Sequence, residues 1–71
     1  MINVSYEMDS SLIEDVGYDV ENKTLEISFQ SGDTYQYFDV PKGLVTEFMF
    51  SESAGVFFNE QIKDNFDYQK V

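Results

Sequence analysis

Carboxylates are the only side chains present in numbers that could support acid–base chemistry. Glu60 and Asp64 stand four apart in a segment with helical spacing, Glu14 and Asp15 are adjacent, and Asp19 and Glu21 flank a single residue. Glycoside hydrolysis uses such a pair, one carboxyl protonated and one ionised, but only inside a walled cleft. A chain of 71 residues has little material with which to wall one. Histidine and cysteine are absent, which removes the commonest general base, the thiol nucleophile and the usual zinc ligands together. Seven serines remain without a base to activate them. The nucleophile elbow, the phosphate-binding loop, the dinucleotide fingerprint and the EF-hand loop do not occur. The sequence therefore predicts a non-enzymatic protein with no catalytic residue, no cofactor and no metal site.

Charge narrows the partners. Fourteen acidic residues face four lysines and no arginine, a formal charge of −10. A surface that tracks phosphates needs clustered basic side chains, whereas Lys23, Lys42, Lys63 and Lys70 are dispersed among carboxylates. Direct nucleic-acid binding is disfavoured, and a protein partner with a basic or nucleic-acid-binding surface is expected. The plainer reading of the same charge is a solvated surface that keeps a small protein soluble.

The elements that would position a binding surface follow from periodicity. Ile2, Val4, Tyr6 and Met8 alternate with polar residues as a half-buried strand does, and Asp9-Ser10-Ser11 breaks the pattern. Val16, Tyr18 and Val20, then Leu25, Ile27 and Phe29, form a hairpin; a two-residue loop at Asn22-Lys23 pairs Val20 with Leu25, Tyr18 with Ile27 and Val16 with Phe29. Around Ser31-Gly32-Asp33-Thr34 a second hairpin has two registers. A two-residue Gly32-Asp33 loop sets Tyr35 and Tyr37 opposite Gln30 and Ser28 on the open face, and a three-residue loop from Ser31 to Asp33 sets them opposite Phe29 and Ile27 in the core. In both, Tyr35 and Tyr37 share a face and Phe38 takes the other.

Val40-Pro41 ends the strand and opens a helix with Leu44, Val45, Phe48 and Met49 as its apolar stripe. Ser51 or Ser53 caps a second helix, in which Ala54, Phe57, Phe58, Gln61 and Ile62 share a face, and Asn65 is a left-handed stop. Phe66 to Val71 alternates again as a last strand. The expected fold is a single α+β domain over residues 1–71, a small antiparallel meander of three to five strands with two short helices on one face. Twelve aromatics, seven Phe and five Tyr, supply core area in a chain without disulfides. Its longest apolar runs are about three residues against the ~20 of a membrane span, and the first residues resemble neither a secretory nor a transit peptide. An intracellular, cytoplasmic protein is expected.

Ser10-Ser11-Leu12-Ile13, Val16-Gly17-Tyr18-Asp19, Thr24-Leu25-Glu26-Ile27-Ser28-Phe29, Ser31-Gly32, Tyr35-Gln36-Tyr37-Phe38, Val40-Pro41, Ser53-Ala54-Gly55, Phe57-Phe58-Asn59 and Ile62-Lys63 follow one another in an order that resembles the KTSC domain. That family takes its name from the C-terminal region of some lysyl-tRNA synthetases and also occurs as free-standing small proteins. The resemblance covers about residues 10–71, and Tyr35-x-Tyr37 matches the family's central Y-x-Y. It implies RNA binding as a suggested role. Family members often carry basic residues around that strand and after the Asn of the second helix; here Asp33, Gln36, Asp39 and Glu60 stand there.

The candidate binding residues are Tyr35, Tyr37, Ser53, Gly55 and Asn59. Tyr35 and Tyr37 are a ligand face or ordinary packing tyrosines; Ser53 is a cap and Gly55 a place of close helix approach unless they too touch a ligand. The leading expectation is a small acidic module that binds a protein through its acidic surface and the Tyr35/Tyr37 face. The alternatives are a phage or mobile-element inhibitor whose carboxylates imitate nucleic acid, and the RNA binding that the resemblance implies.

Overall fold

Among the described residues, alternating apolar residues give five strands that pair in sequence order. The computed structural model describes residues 4–7 by their backbone and residues 11–71 in full. Strands β1 (Val4–Glu7), β2 (Ile13–Asp19), β3 (Thr24–Phe29), β4 (Thr34–Tyr37) and β5 (Tyr68–Lys70) form one antiparallel sheet in the order β1-β2-β3-β4-β5. Helices α1 (Lys42–Met49) and α2 (Ala54–Phe57) intervene between β4 and β5. The expected α+β meander with two short helices is therefore the observed fold, with all five strands present. Ile2 and Met8, expected in the first strand, lie outside the described residues.

The inner face of the sheet carries Val16, Tyr18, Leu25, Ile27 and Tyr37, which meet Val45 and Phe48 of α1 and Phe58 and Ile62 beyond α2 in one buried core. Each such side chain contributes roughly 1.5–3 kcal/mol through its removal from water. The outer face is polar. There Gln36 Nε2 donates to Glu26 Oε1 across the β3–β4 pair at 3.1 Å, and the Ser28 and Thr34 hydroxyls are 3.2 Å apart. Tyr18 stays inside because its hydroxyl donates to the Val40 carbonyl.

Both hairpins shift from the expected registers, and in both the turn decides. In the β2–β3 hairpin Tyr18 pairs with Leu25 and Val16 with Ile27, so the loop holds four residues and Val20 is expelled to 42% exposure. Asp19 holds that loop by accepting from the backbone N–H groups of Glu21 and Asn22 and from the Asn22 side chain, and Lys23 completes it in the left-handed region at φ 54°. An aspartate turn of this kind outcompetes a two-residue loop that lacks glycine. In the β3–β4 hairpin Ile27 pairs with Tyr35 and Leu25 with Tyr37. Its loop is Gln30-Ser31-Gly32: Gly32 N–H donates to the Phe29 carbonyl at 2.9 Å, Phe29 N–H to the Asp33 carbonyl at 2.8 Å, and Gly32 sits at φ +100°. This type I turn with a left-handed glycine is neither of the two registers the sequence offered, although it keeps the inward parity of the second. A bulge between Ile13 and Asp15 lets Ile13 and Val16 both point inward.

Helix α1 starts after Pro41, whose carbonyl accepts from Leu44 and Val45 N–H. Ser53 caps α2 by accepting from Val56 N–H at 3.4 Å. Beyond Phe57 the chain widens into a π-helical turn over Phe58–Ile62, closed by Lys63 N–H donating to the Phe58 carbonyl at 2.9 Å. The extra residue in that turn points Phe58 and Ile62 inward and leaves Gln61, expected on the inner face, exposed. Asn65 is not the left-handed stop expected; among described non-glycine residues Lys23 and Asp39 hold positive φ. Asn65 ends the helix with its side chain instead, donating Nδ2–H to the Gln61 carbonyl at 2.8 Å.

Candidate functional site

Strand parity sets Tyr35 and Tyr37 on the inner face at the β5 side of the sheet, where α2 and its π turn lie over them. Tyr37 pairs with Tyr68 of β5, Tyr35 pairs with Lys70, and the rings form a continuous cluster. Tyr37 meets Phe58 edge-on at 5.5 Å between centroids and Tyr68 at 5.6 Å; Tyr35 meets Tyr68 and Phe29, each at 5.7 Å; Phe29 meets Phe58 at 5.3 Å. Edge and tilted contacts of this kind are the favoured geometries for aromatic quadrupoles. The five rings do not close on one another. They line a half-open groove with a cavity of about 250 Å³, and Lys63 and Asp64, delivered by the end of the π turn, stand on its helix side.

The two tyrosines of the Y-x-Y motif share a face, as strand period requires, but not the same access. Tyr37 is 4% exposed under Phe58, whereas Tyr35 lies half-buried between Phe29 and Tyr68. Burial, with the neighbouring Tyr35 and Tyr68 hydroxyls and the Asp64 carboxylate adding to it, pushes the Tyr37 hydroxyl up to about 12. Tyr37 is the floor of the groove, and Tyr35 and Tyr68, the latter 58% exposed, are its walls.

A second, polar cavity of about 320 Å³ adjoins the first. Asp64 lines both, and Asp39, Asp67 and Asn65 line the second together with Phe38 and Phe66. Asp39 is brought there by a left-handed backbone at φ 58°, just after Phe38 N–H donates to the Asp67 carbonyl at 2.9 Å. Among the described residues no group of three or more carboxylates could hold a metal ion. No described helix is long and apolar enough to cross a membrane.

Ser53, Gly55 and Asn59 are not part of this groove. Ser53 is occupied as the cap of α2. A Cβ placed on Gly55 would meet Leu12 Cδ2 at 3.5 Å and Leu12 Cβ at 3.8 Å, which is ordinary contact, so close approach does not demand glycine. Asn59 is exposed. Sequence reasoning missed Phe29, Phe58, Tyr68, Lys63 and Asp64. The signal for Tyr68 was its strand alternation with Phe66, which carried no information about the partner strand.

The family model for the KTSC domain matches residues 9–66. The crystal structure of a KTSC domain protein from Yersinia pestis superposes with a TM-score of 0.92 at 40% identity, covering 96% of each chain. Among curated proteins, a small protein of Tsukamurella paurometabola is 37% identical over 83% of this chain and 88% of its own length. A lysine–tRNA ligase of Nostoc punctiforme is 33% identical over 89% of this chain, which spans only 11% of that enzyme's length.

Proposed function

The chain belongs to the KTSC domain family, and from that premise we propose that it is a non-enzymatic binding module that docks a segment of a partner protein in the aromatic groove of Tyr35, Tyr37 and Tyr68. The observation that supports this reading is five aromatic rings left around a half-open cavity on a domain this small. At about 250 Å³ the cavity falls just below the ~300–1,000 Å³ of small-molecule and cofactor pockets and suits a side chain better.

The lysines support a protein over a polyanion. Lys63 lines the groove, Lys70 pairs with Asp33 at 3.2 Å, Lys42 borders a separate cavity beside Tyr18 and Met49, and Lys23 sits in the β2–β3 turn. Stacking of bases on the tyrosines, worth ~1–3 kcal/mol each, would have to overcome the field of the surrounding carboxylates.

Affinity capture from the native host with the wild-type protein and with Tyr68→Ala tests the assignment, Tyr68 being exposed and at a sheet edge. A protein partner retained by the wild type and lost by the variant is expected, with no retention of single-stranded RNA at physiological salt. Equal retention of the partner by a folded Tyr68→Ala would place the site elsewhere, and micromolar RNA binding with a steep salt dependence would replace the reading altogether.

A further inference from the structure

We propose that the groove recognises cations: its occupant is a short basic segment of a protein, with one lysine or arginine head group over the rings of Tyr35, Tyr37 and Tyr68 and a neighbouring basic side chain in the adjoining acidic cavity. This rests on the reading of the groove as a protein-docking site and adds what the site selects.

Three observations converge on it. Aromatic ring faces are electron-rich, and a cation held within about 6 Å of a ring centroid is attracted by ~0.5–1 kcal/mol when exposed and by more when desolvated. Tyr35 and Tyr37 stand 5.7 and 5.6 Å from Tyr68 between ring centroids, and all three line one cavity, so a single head group placed in it lies next to more than one ring. The aromatic cavity is also not isolated. Asp64 belongs equally to the polar cavity beside it, where Asp39 and Asp67 complete an acidic lining, so a segment leaving the rings passes directly to carboxylates. Finally, the molecule as a whole carries −10, which draws basic partners in and repels acidic ones.

Lys63 opposes this arrangement and gives the inference a sign. It is a resident cation beside the same rings. If the ligand is cationic, Lys63 repels or competes with it; if the ligand is a phosphate or carboxylate, Lys63 attracts it.

The test measures the affinity of fluorescein-labelled capped heptapeptides, alternating glycine with arginine, with leucine or with glutamate, by anisotropy at fixed ionic strength. The wild type, Tyr68→Ala, Lys63→Met, Asp64→Asn, Asp67→Asn and, as a control carboxylate on α1, Glu47→Gln are compared, with labelled single-stranded RNA as a further probe. The arginine peptide is expected to bind preferentially, to bind ~2- to 5-fold tighter to Lys63→Met and ~5-fold more weakly to Asp64→Asn and Asp67→Asn, and to change by less than ~1.5-fold with Glu47→Gln. Equal losses for Glu47→Gln and Asp64→Asn would reduce the attraction to net charge and overturn the inference. Preferential binding of the leucine peptide, still weakened by Tyr68→Ala, would overturn cation selectivity while leaving the protein-docking reading intact. Binding of the glutamate peptide or of single-stranded RNA, weakened by Lys63→Met, would overturn both. Absence of binding by the arginine peptide at millimolar concentration would also overturn it.

Discussion

Salt should stabilise this protein, and by an amount its dimensions allow to be worked out. Taking the longest extent of 28 Å as a diameter, ten uncompensated charges spread over a sphere of ~14 Å radius carry a self-energy of about 6 kcal/mol at a Debye length of ~10 Å and about 3 kcal/mol at ~3 Å. An expanded chain of ~26 Å radius carries about 2 and about 1 kcal/mol under the same conditions. Raising NaCl from ~0.1 to ~1 M thus removes about 2 kcal/mol of repulsion that only the compact state suffers. Against this stands the screening of attractive pairs such as Lys70–Asp33, exposed at both ends and worth ~0–1 kcal/mol. At ~4–8 °C per kcal/mol for a domain of this size, the melting temperature should rise by about 10 °C, read by far-UV circular dichroism at constant pH and protein concentration. Because self-energy grows as the square of the charge, Glu47→Gln combined with Glu52→Gln should keep roughly two thirds of that rise, which separates screening from a general salting-out effect. A melting temperature that stays flat or falls, or a rise unaffected by removing two charges, would refute the reasoning.

Three other outcomes are expected. Tyr37 is neutral when protonated and its hydroxyl is pushed up to about 12 in the folded protein, so its contribution to stability is intact below its ordinary value of ~10 and is lost as pH rises towards 12. Ultraviolet titration should therefore show Tyr37 as a late-ionising phenol near the onset of alkaline unfolding, alongside Tyr18, whose hydroxyl burial also pushes up, and Tyr37→Phe should remove one phenol from that late phase while leaving the other. Gly32→Ala should cost about 1–2 kcal/mol in denaturant unfolding, because the residue sits at φ +100° in open space and the penalty is purely conformational. Gly55→Ala should instead be neutral or stabilise by up to ~1 kcal/mol, since its Cβ fits against Leu12 within α2.

Side-chain parity was legible for β2 and β3, while the face that β4 turns inward, the registers and the loop content were not. Every inward residue expected of β3, and Val16 and Tyr18 of β2, is inward, because a period of two fixes faces however far a hairpin slides by whole pairs. The slide itself depends on turns whose chemistry lies in side chains that read as ordinary loop residues: Asp19 accepting from two backbone N–H groups, and Gly32 supplying a left-handed bulge in place of the first position of a tight turn. The π turn escaped for a related reason. Phe57, Phe58, Gln61 and Ile62 fit a 3.6-residue period, and nothing local marks the i→i+5 bond from Lys63 that turns Gln61 outward. Of the candidate site, Tyr35 and Tyr37 were visible as a pair. The groove around them was not, since it exists only because β5 returns beside β4 and sets Tyr68 opposite Tyr37.

The central claim is that the Y-x-Y tyrosines and Tyr68 form one ligand groove. Fluorine NMR of the 3-fluorotyrosine-labelled protein, assigned by single Tyr→Phe substitutions and titrated with the arginine heptapeptide, tests it most directly. The resonances of Tyr35, Tyr37 and Tyr68 should move together along one saturating isotherm while Tyr18, buried and bonded to the Val40 carbonyl on the far side of β3, stays in place. Movement of Tyr18 to the same extent, or saturation of the peptide with the three groove resonances unmoved, would contradict the account.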